Sequence, residues 1–325
     1  MTPQISIIIP VYNSAATIER CVESIIQQDF KDFEVLLVDD GSSDNSLDEI
    51  NRLSKIDSRL LAFGREHAGV SATRNFALDN ARGKYIVFVD CDDYVEPYYL
   101  STMYAHRDCD MVICGYYVDY VSTNGVLERK DVQSLPLKGK YNISPYCDKI
   151  IELFTTGKIH INCNKLLKKS IIDGFHIRYE SIPINEDYTF MLEYLKHSSS
   201  IYAADVASYH WVRVNGQKSG VDSMPENLID IYITAHRRTN DLFSSDSFSC
   251  KIFYYTYEFV ARKYMTTANN GTISHAECRR LLKRMFSLKE VKEAYRLHHP
   301  NSLGEMLTHG LLKYHLVSLY KLLFI

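Results

Sequence analysis

Three carboxylates fall within four positions at Asp90-Cys91-Asp92-Asp93, directly after the apolar run Ile86-Val87-Phe88-Val89. Like charges this close oppose one another by about 4 kcal/mol per pair at 4 Å under a near-surface effective dielectric, so the cluster calls for a counter-cation. Hard oxygen ligands favour magnesium or manganese, and an octahedral ion held by few protein groups keeps positions open for diphosphate oxygens. The bland alternative is a solvated acidic loop, which the position after an apolar strand makes less apt. A second acidic pair, Glu186-Asp187, opens a stretch of helical spacing over Glu186–Leu195. A carboxylate in a first helical turn is favoured as the anion by the helix dipole, so Asp187 is a candidate general base with Glu186 in support. Acidic residues also occupy first turns for stability alone.

The surrounding elements must bring these groups together. Ile5–Pro10 is a near-continuous apolar run, which suits a strand covered on both faces. Ser14 is placed to cap a helix whose inward stripe is Ile18, Cys21, Val22, Ile25 and Ile26. Phe33–Val38 reads as a second strand, Asp44–Ile56 as a helix with Leu47, Ile50 and Leu53 inward, and Leu60–Phe63 as a third strand. Val70–Ala81 reads as a helix stopped by Gly83, and Lys84–Val89 as a fourth strand. This alternation predicts a doubly wound α/β sheet with right-handed crossovers. Ligands of such sheets bind beyond the carboxyl ends of the strands. There the sequence sets Pro10-Val11-Tyr12-Asn13, Asp39-Asp40-Gly41-Ser42 and the acidic run.

Past residue 100 the order is irregular. Met111–Val118 is strand-like, Asn124-Gly125 signals a hairpin, Pro145–Thr156 has helical spacing and Ser200–Val214 is extended. The catalytic domain is expected to span 1–220, with a nucleotide half to about 95 and an acceptor half after it, followed by a helical extension over 221–325. In that extension Leu228–Leu242 and Ile252–Met265 are amphipathic, and Asn269-Asn270-Gly271 marks a break.

Taken together, Pro10-Val11-Tyr12-Asn13, Val38-Asp39-Asp40-Gly41-Ser42, Gly69-Val70-Ser71-Ala72-Thr73-Arg74-Asn75 and Asp90-Cys91-Asp92-Asp93 resemble the family-two glycosyltransferases of the GT-A fold. The resemblance covers roughly residues 4–215. It implies a nucleotide-diphospho-sugar transferase with a doubly wound, mostly parallel sheet and a helical C-terminal extension. It further implies an inverting enzyme using Mn2+ or Mg2+, a nucleotide-sugar donor with a UDP-type base, and a glycan or lipid-linked acceptor in surface polysaccharide synthesis. By residue, it implies Tyr12 and Pro10 beside the nucleobase, Asp40 accepting from a base N–H, and Asp90 with Cys91 on the donor. Asp92 would reach the metal, Arg74 would ligate donor phosphates or sugar, and Asp187 would act as base. Asp93 would assist or cap a following helix, His210 would ligate the metal or, as a lone histidine among aromatics more often does, pack and hydrogen-bond, and Trp211 would form an acceptor platform or pack in the core. Asp90 and Asp92 could divide their roles on an extended strand end, where i and i+2 share a face.

Other classes fit less well. A nicotinamide dehydrogenase needs a Gly-rich turn after the first strand, and Pro10-Val11-Tyr12-Asn13 has no glycine. A nucleotidyltransferase also joins a nucleotide to metal-bound carboxylates on a similar sheet and is the enzymatic alternative, although its usual Gly-rich basic loop after the first strand is absent here, and a non-catalytic sugar-nucleotide or interaction module is the alternative of a different kind. A formal net charge of -3 offers no whole-protein field for nucleic acid. Eight scattered cysteines without a C-x-x-C pair, and no secretory leader, fit a cytoplasmic protein. The stripe Leu312, Leu316, Leu319 and Leu323 could dock on the domain, on a second copy, or peripherally on the inner membrane face.

Overall fold

A computed structural model describes residues 2–143, 148–216, 225, 227–243, 246–297 and 310. The chain divides into two compact units, Met1–Ser223 and Met224–Ile325.

The first unit opens with β1 (Ile5–Val11), α1 (Ile18–Ile26), β2 (Phe33–Asp39), α2 (Ser46–Leu53), β3 (Leu60–Gly64), α3 (Val70–Asn80) and β4 (Tyr85–Phe88). Every residue of β1 and β2 is buried. Each aliphatic side chain there contributes about 2 kcal/mol relative to exposure, which explains the unbroken apolar runs. The strands run parallel in the order β3-β2-β1-β4, with Ile5 opposite both Phe33 and Tyr85. Strand ends carrying Tyr12, Asp40 and Asp90 therefore meet along one rim.

Three local expectations are corrected. Ser14 does not cap α1 with its side chain. Its carbonyl accepts from the Thr17 and Ile18 N–H groups at 3.0 Å each, and its hydroxyl donates to the Tyr12 carbonyl. Leu47 is 38% exposed, because α2 starts only at Ser46 and its first turn overhangs the last residue of the edge strand β3, at Gly64. Gly83 is not the helix stop. The helix ends at Asn80, and a Cβ on Gly83 would lie 2.4 Å from the Ser6 nitrogen, so glycine is needed for close approach to β1.

The second half of this unit adds β5 (Tyr94–Val95), α4 (Tyr99–Tyr104), β6 (Met111–Val121), β7 (Leu127–Gln133), β8 (Gly139–Asn142), α5 (Asp148–Thr155), β9 (Lys165–Lys168), α6 (Lys169–Gly174), α7 (Glu186–Lys196) and β10 (Ser200–Val214). Here the sheet becomes mixed. β9 lies antiparallel between β4 and β6, while the long β10 is parallel to β6 and antiparallel to β5. The Asn124-Gly125 signal is a β6–β7 hairpin, with Gly125 at φ 77°.

The second unit contains α8 (Leu228–Phe243), α9 (Asp246–Asn269), α10 (His275–Ser287) and α11 (Lys289–Leu297). Gly271, at φ 75°, follows the end of α9, and the Ser274 hydroxyl caps α10 by accepting from the Glu277 N–H at 3.0 Å. Among the described residues no helix is long and apolar enough to cross a membrane. The Leu312–Leu323 stripe lies outside them. Cys21, Cys91, Cys109, Cys114, Cys163 and Cys278 are all free thiols.

Candidate active site

Beyond β4 the chain does not stay extended. Asp93 N–H bonds back to the Asp90 carbonyl at 3.1 Å, closing a tight turn, so the shared-face argument for Asp90 and Asp92 does not hold. The turn sorts the carboxylates by depth instead. Asp92 is exposed at the tip, whereas Asp93 is buried, accepting from the Tyr209 hydroxyl and from Val212 N–H at 2.8 Å. Burial first, then the charges of Asp92 and Asp90, hold the Asp93 pKa well above the usual range. Asp93 is followed by β5, not a helix, so it caps nothing and anchors the turn to β10. Asp92 is pushed up to about 6 by the low-dielectric walls around it, then by Asp90. The Cys91 thiol, raised to about 12 chiefly by burial, stays neutral and meets the Ser14 hydroxyl at 3.0 Å.

A cleft of about 250 Å³ opens above this turn, lined by Pro10, Tyr12, Asp40, Asp90, Cys91 and Asp92 among others. His67, Gly69, Val70 and Thr73 complete it from the β3–α3 side. Tyr12 is 49% exposed and stacks on His67 with ring centroids 4.7 Å apart. Asp40 is buried, and protein donors occupy its carboxylate. Ala68 N–H and Arg65 Nη1 reach Oδ1 at 3.1 and 3.2 Å, and Gly69 N–H and His67 Nδ1 reach Oδ2 at 2.8 and 2.9 Å. Here Asp40 ties down the loop that carries His67 and Gly69. Gly69 stands at φ 88°, the left-handed conformation that starts α3 and that a side chain would oppose.

One side chain joins this cleft to the head of α7. Arg74, on α3, is almost fully buried. Its Nη1 donates to Asp187 Oδ1 at 2.8 Å and to Glu186 Oε1 at 3.1 Å, while Nη2 reaches Asp90 Oδ1 at 3.3 Å. The guanidinium is thus turned onto carboxylates, and its planar fork is the only cationic side chain able to serve several at once with fixed direction. Asn162 adds a second donor to Asp187 Oδ1 at 3.0 Å and donates to the Tyr179 hydroxyl at 2.6 Å. Burial, offset by Arg74 and reinforced by Glu186 and Asp90, brings the Asp187 carboxyl up to about 7. Asn185, just before α7, sits at φ 70°, a strained value that presents the pair Glu186-Asp187 in the first turn.

The family model described as glycosyl transferase family 2 matches residues 6–175, more than half of the 325 residues. The chain belongs to glycosyl transferase family 2. EpsH of Bacillus subtilis is 33% identical over 181 residues, covering 55% of this chain and 51% of EpsH, so the chain spans about half the length of that relative. The cholesterol galactosyltransferase of Borreliella burgdorferi is 26% identical over 70% of this chain and 65% of its own. Among solved structures, S. aureus TarS 1–349 in complex with UDP-GlcNAc superposes with a TM-score of 0.69 at 20% identity, covering 98% of this chain and 91% of that one. That likeness is one of fold, and the fold is GT-A.

The family 2 match ends before β10, and there the expected site residues disperse. His210 is buried on the opposite face of β10 from Tyr209. Both its ring nitrogens face carboxylates, Asp119 at 2.8 Å and Glu96 at 3.0 Å, and Tyr94 and Tyr117 stack on it with centroids at 4.1 and 4.6 Å. With both nitrogens engaged it has none left for a metal. Trp211 is half-buried on the Tyr209 face, beside Tyr116. Residues that the sequence reading missed are His67, Asn162, Cys163, Tyr179 and Tyr209. Cys163 Sγ lies 3.6 Å from Asp90 Oδ2. None belongs to an acidic or glycine-rich run, and only tertiary structure brings them to the rim.

Proposed function

We propose that this family 2 protein is a divalent-metal-dependent, inverting glycosyltransferase that moves a sugar from a UDP-linked donor to a hydroxyl of a glycan or lipid-linked acceptor in surface polysaccharide synthesis. The observation that carries this reading is Arg74 holding Asp187, Glu186 and Asp90 on one guanidinium. It links a cleft rim suited to a nucleoside diphosphate with a carboxylate suited to proton abstraction. The UDP-linked donor is supported by the TarS structure, which is in complex with UDP-GlcNAc, and by Tyr12 standing exposed where a base could stack.

The donor set fits a hard divalent cation. The Asp92 carboxylate is exposed and makes no ion pair among the described residues, and its pKa is raised first by desolvation and then by Asp90, whose charge a cation would offset. Asp90, Asp93 and Cys163 also cluster within 4.8 Å, but Asp93 is committed to Tyr209 and Val212, and Cys163 is a buried thiol raised well above its usual pKa. Asp92 with Asp90 would therefore hold the ion. Mn2+, which the Pyrobaculum calidifontis mannosyltransferase PcManGT structure contains alongside GDP-Man, or Mg2+ would supply Lewis-acid neutralisation of the leaving diphosphate.

The chain's own residues do the rest. Arg74 and Asn162 both donate to Asp187 Oδ1, which leaves Oδ2 to receive the acceptor proton. The acceptor oxygen forms its bond to the anomeric carbon as the bond from that carbon to the diphosphate oxygen breaks, in a single displacement that needs one base. The test is Asp187→Asn, assayed for nucleoside diphosphate release and for donor binding by calorimetry. Transfer is expected to fall by about a thousandfold or more with donor affinity retained. Loss of donor binding in parallel would make Asp187 structural and remove the reading.

A further inference from the structure

β6 and β10 run side by side with Tyr116 opposite Tyr209 and Val118 opposite Trp211. In paired strands such residues share a face, so Tyr116, Trp211 and Tyr209 lie on the face whose Tyr209 hydroxyl holds the acidic turn. Trp211 stands about 7 Å further along the strand from Tyr209. Tyr116 and Trp211 are both half-buried, with ring centroids 6.4 Å apart. Each carries a cation on its ring, Lys158 Nζ 4.7 Å from the Tyr116 centroid and Arg213 5.2 Å from that of Trp211.

Neither cation forms an ion pair among the described residues. Lys158 is 6% exposed, and its ammonium makes one hydrogen bond there, to the neutral Gln133 Oε1 at 2.7 Å. A buried ammonium with no carboxylate is costly, and burial lowers its pKa accordingly. Lys158 also belongs to the segment that delivers Asn162 to Asp187. Two rings flanked by two cations that form no ion pair among the described residues thus adjoin a rim rich in carboxylates. A neutral acceptor would need no such cations, whereas an anionic one would be repelled by Asp90, Asp92 and Glu186 without them.

We infer that the Tyr116–Trp211 face, with Lys158 and Arg213, binds the acceptor, and that this acceptor is an anionic glycan or polyol bearing a phosphodiester or a carboxylate beside the hydroxyl to be modified. The rings cover the apolar faces of the sugar or polyol, and the cations neutralise its charge. This rests on the transferase reading and narrows its acceptor.

Trp211 is the only tryptophan in the chain, so its fluorescence reads this face directly. The full chain is titrated with an oligo(glycerol phosphate), a uronate oligosaccharide and a neutral oligosaccharide of matched length. One of the anionic probes is expected to perturb Trp211 with affinity at least about tenfold above the neutral probe, and which one does so distinguishes phosphodiester from carboxylate. Arg213→Gln, at a partly exposed position, is expected to weaken that binding by about tenfold, and Lys158→Gln, checked for folding by its melting curve, by as much or more. Equal or tighter binding of the neutral probe, no response to either anion, or unchanged anion binding in Arg213→Gln would overturn the inference. Metal-dependent hydrolysis of UDP-sugars is measured separately. Its presence alongside a failed titration would sink the acceptor assignment alone, and its absence would sink the transferase reading.

Discussion

The Arg74 guanidinium donates to Asp187 Oδ1 at 2.8 Å from a side chain only 5% exposed, although the two residues lie on helices 113 positions apart in sequence. Replacing Arg74 with Ala leaves Asp90, Glu186 and Asp187 facing one another without a counter-charge. Stability is expected to fall by about 2–3 kcal/mol in urea denaturation, less than the 3–5 kcal/mol of a fully buried pair because the carboxylates stay partly wet. Arg74→Lys keeps the charge but loses the fork, so it should recover part of the stability and little of the activity. An Ala variant as stable as the parent would show that this network carries no weight.

The acid limb of activity follows from the same group. With Asp187 brought up to about 7, chiefly by burial, the base is protonated below that pH, so kcat/KM should drop about tenfold per unit as the pH falls beneath it. The sign for stability is opposite. The folded state keeps a proton that the unfolded carboxylate releases near its ordinary pKa, so this group's contribution to stability declines as pH rises from about 4 to 7. Asp187→Asn should remove that slope. Unfolding free energies with the same pH slope in both proteins would count against the shift.

Asn162 is expected to position the base. Asn162→Ala removes one of the two donors on Asp187 Oδ1, so kcat should fall by about tenfold to a hundredfold while the KM for the donor stays near its parent value. Removing a donor to the anion also raises its pKa, which moves the acid limb to higher pH. An unmoved limb with a changed donor KM would place Asn162 elsewhere in the mechanism.

Gly83→Ala should cost about 1–3 kcal/mol, because the new methyl group would meet backbone atoms of Ser6 and Ile5 at 2.4 and 2.7 Å. Denaturant midpoints measure this. A neutral substitution would mean that β1 and the α3–β4 connection separate easily.

How far the sequence foretold the molecule depends on which residues carried physical signals. The parallel half was legible because buried strands such as Ile5–Val11 are apolar at nearly every position and helices such as Ile18–Ile26 repeat at helical spacing. The central strand Lys165–Lys168 was not, because it begins with a lysine whose buried ammonium is satisfied by the Lys158 and Ile161 carbonyls and by Asn164 Oδ1, an arrangement no local pattern announces. In the site, Asp92 and Asp187 stood out as charge without evident partners. The turn at Asp90–Asp93 and the commitment of His210 to Asp119 and Glu96 depend on contacts with β10 and neighbouring strands more than a hundred residues distant in part, beyond any spacing argument.

If the acidic turn grips a nucleoside diphosphate through a divalent cation, calorimetric titration of UDP with and without Mn2+ will read that grip. Mn2+ is expected to tighten UDP binding to the parent protein by about tenfold or more, and Asp92→Ala to abolish this gain. Equal UDP affinity with and without the metal, or a full metal effect in Asp92→Ala, would contradict it.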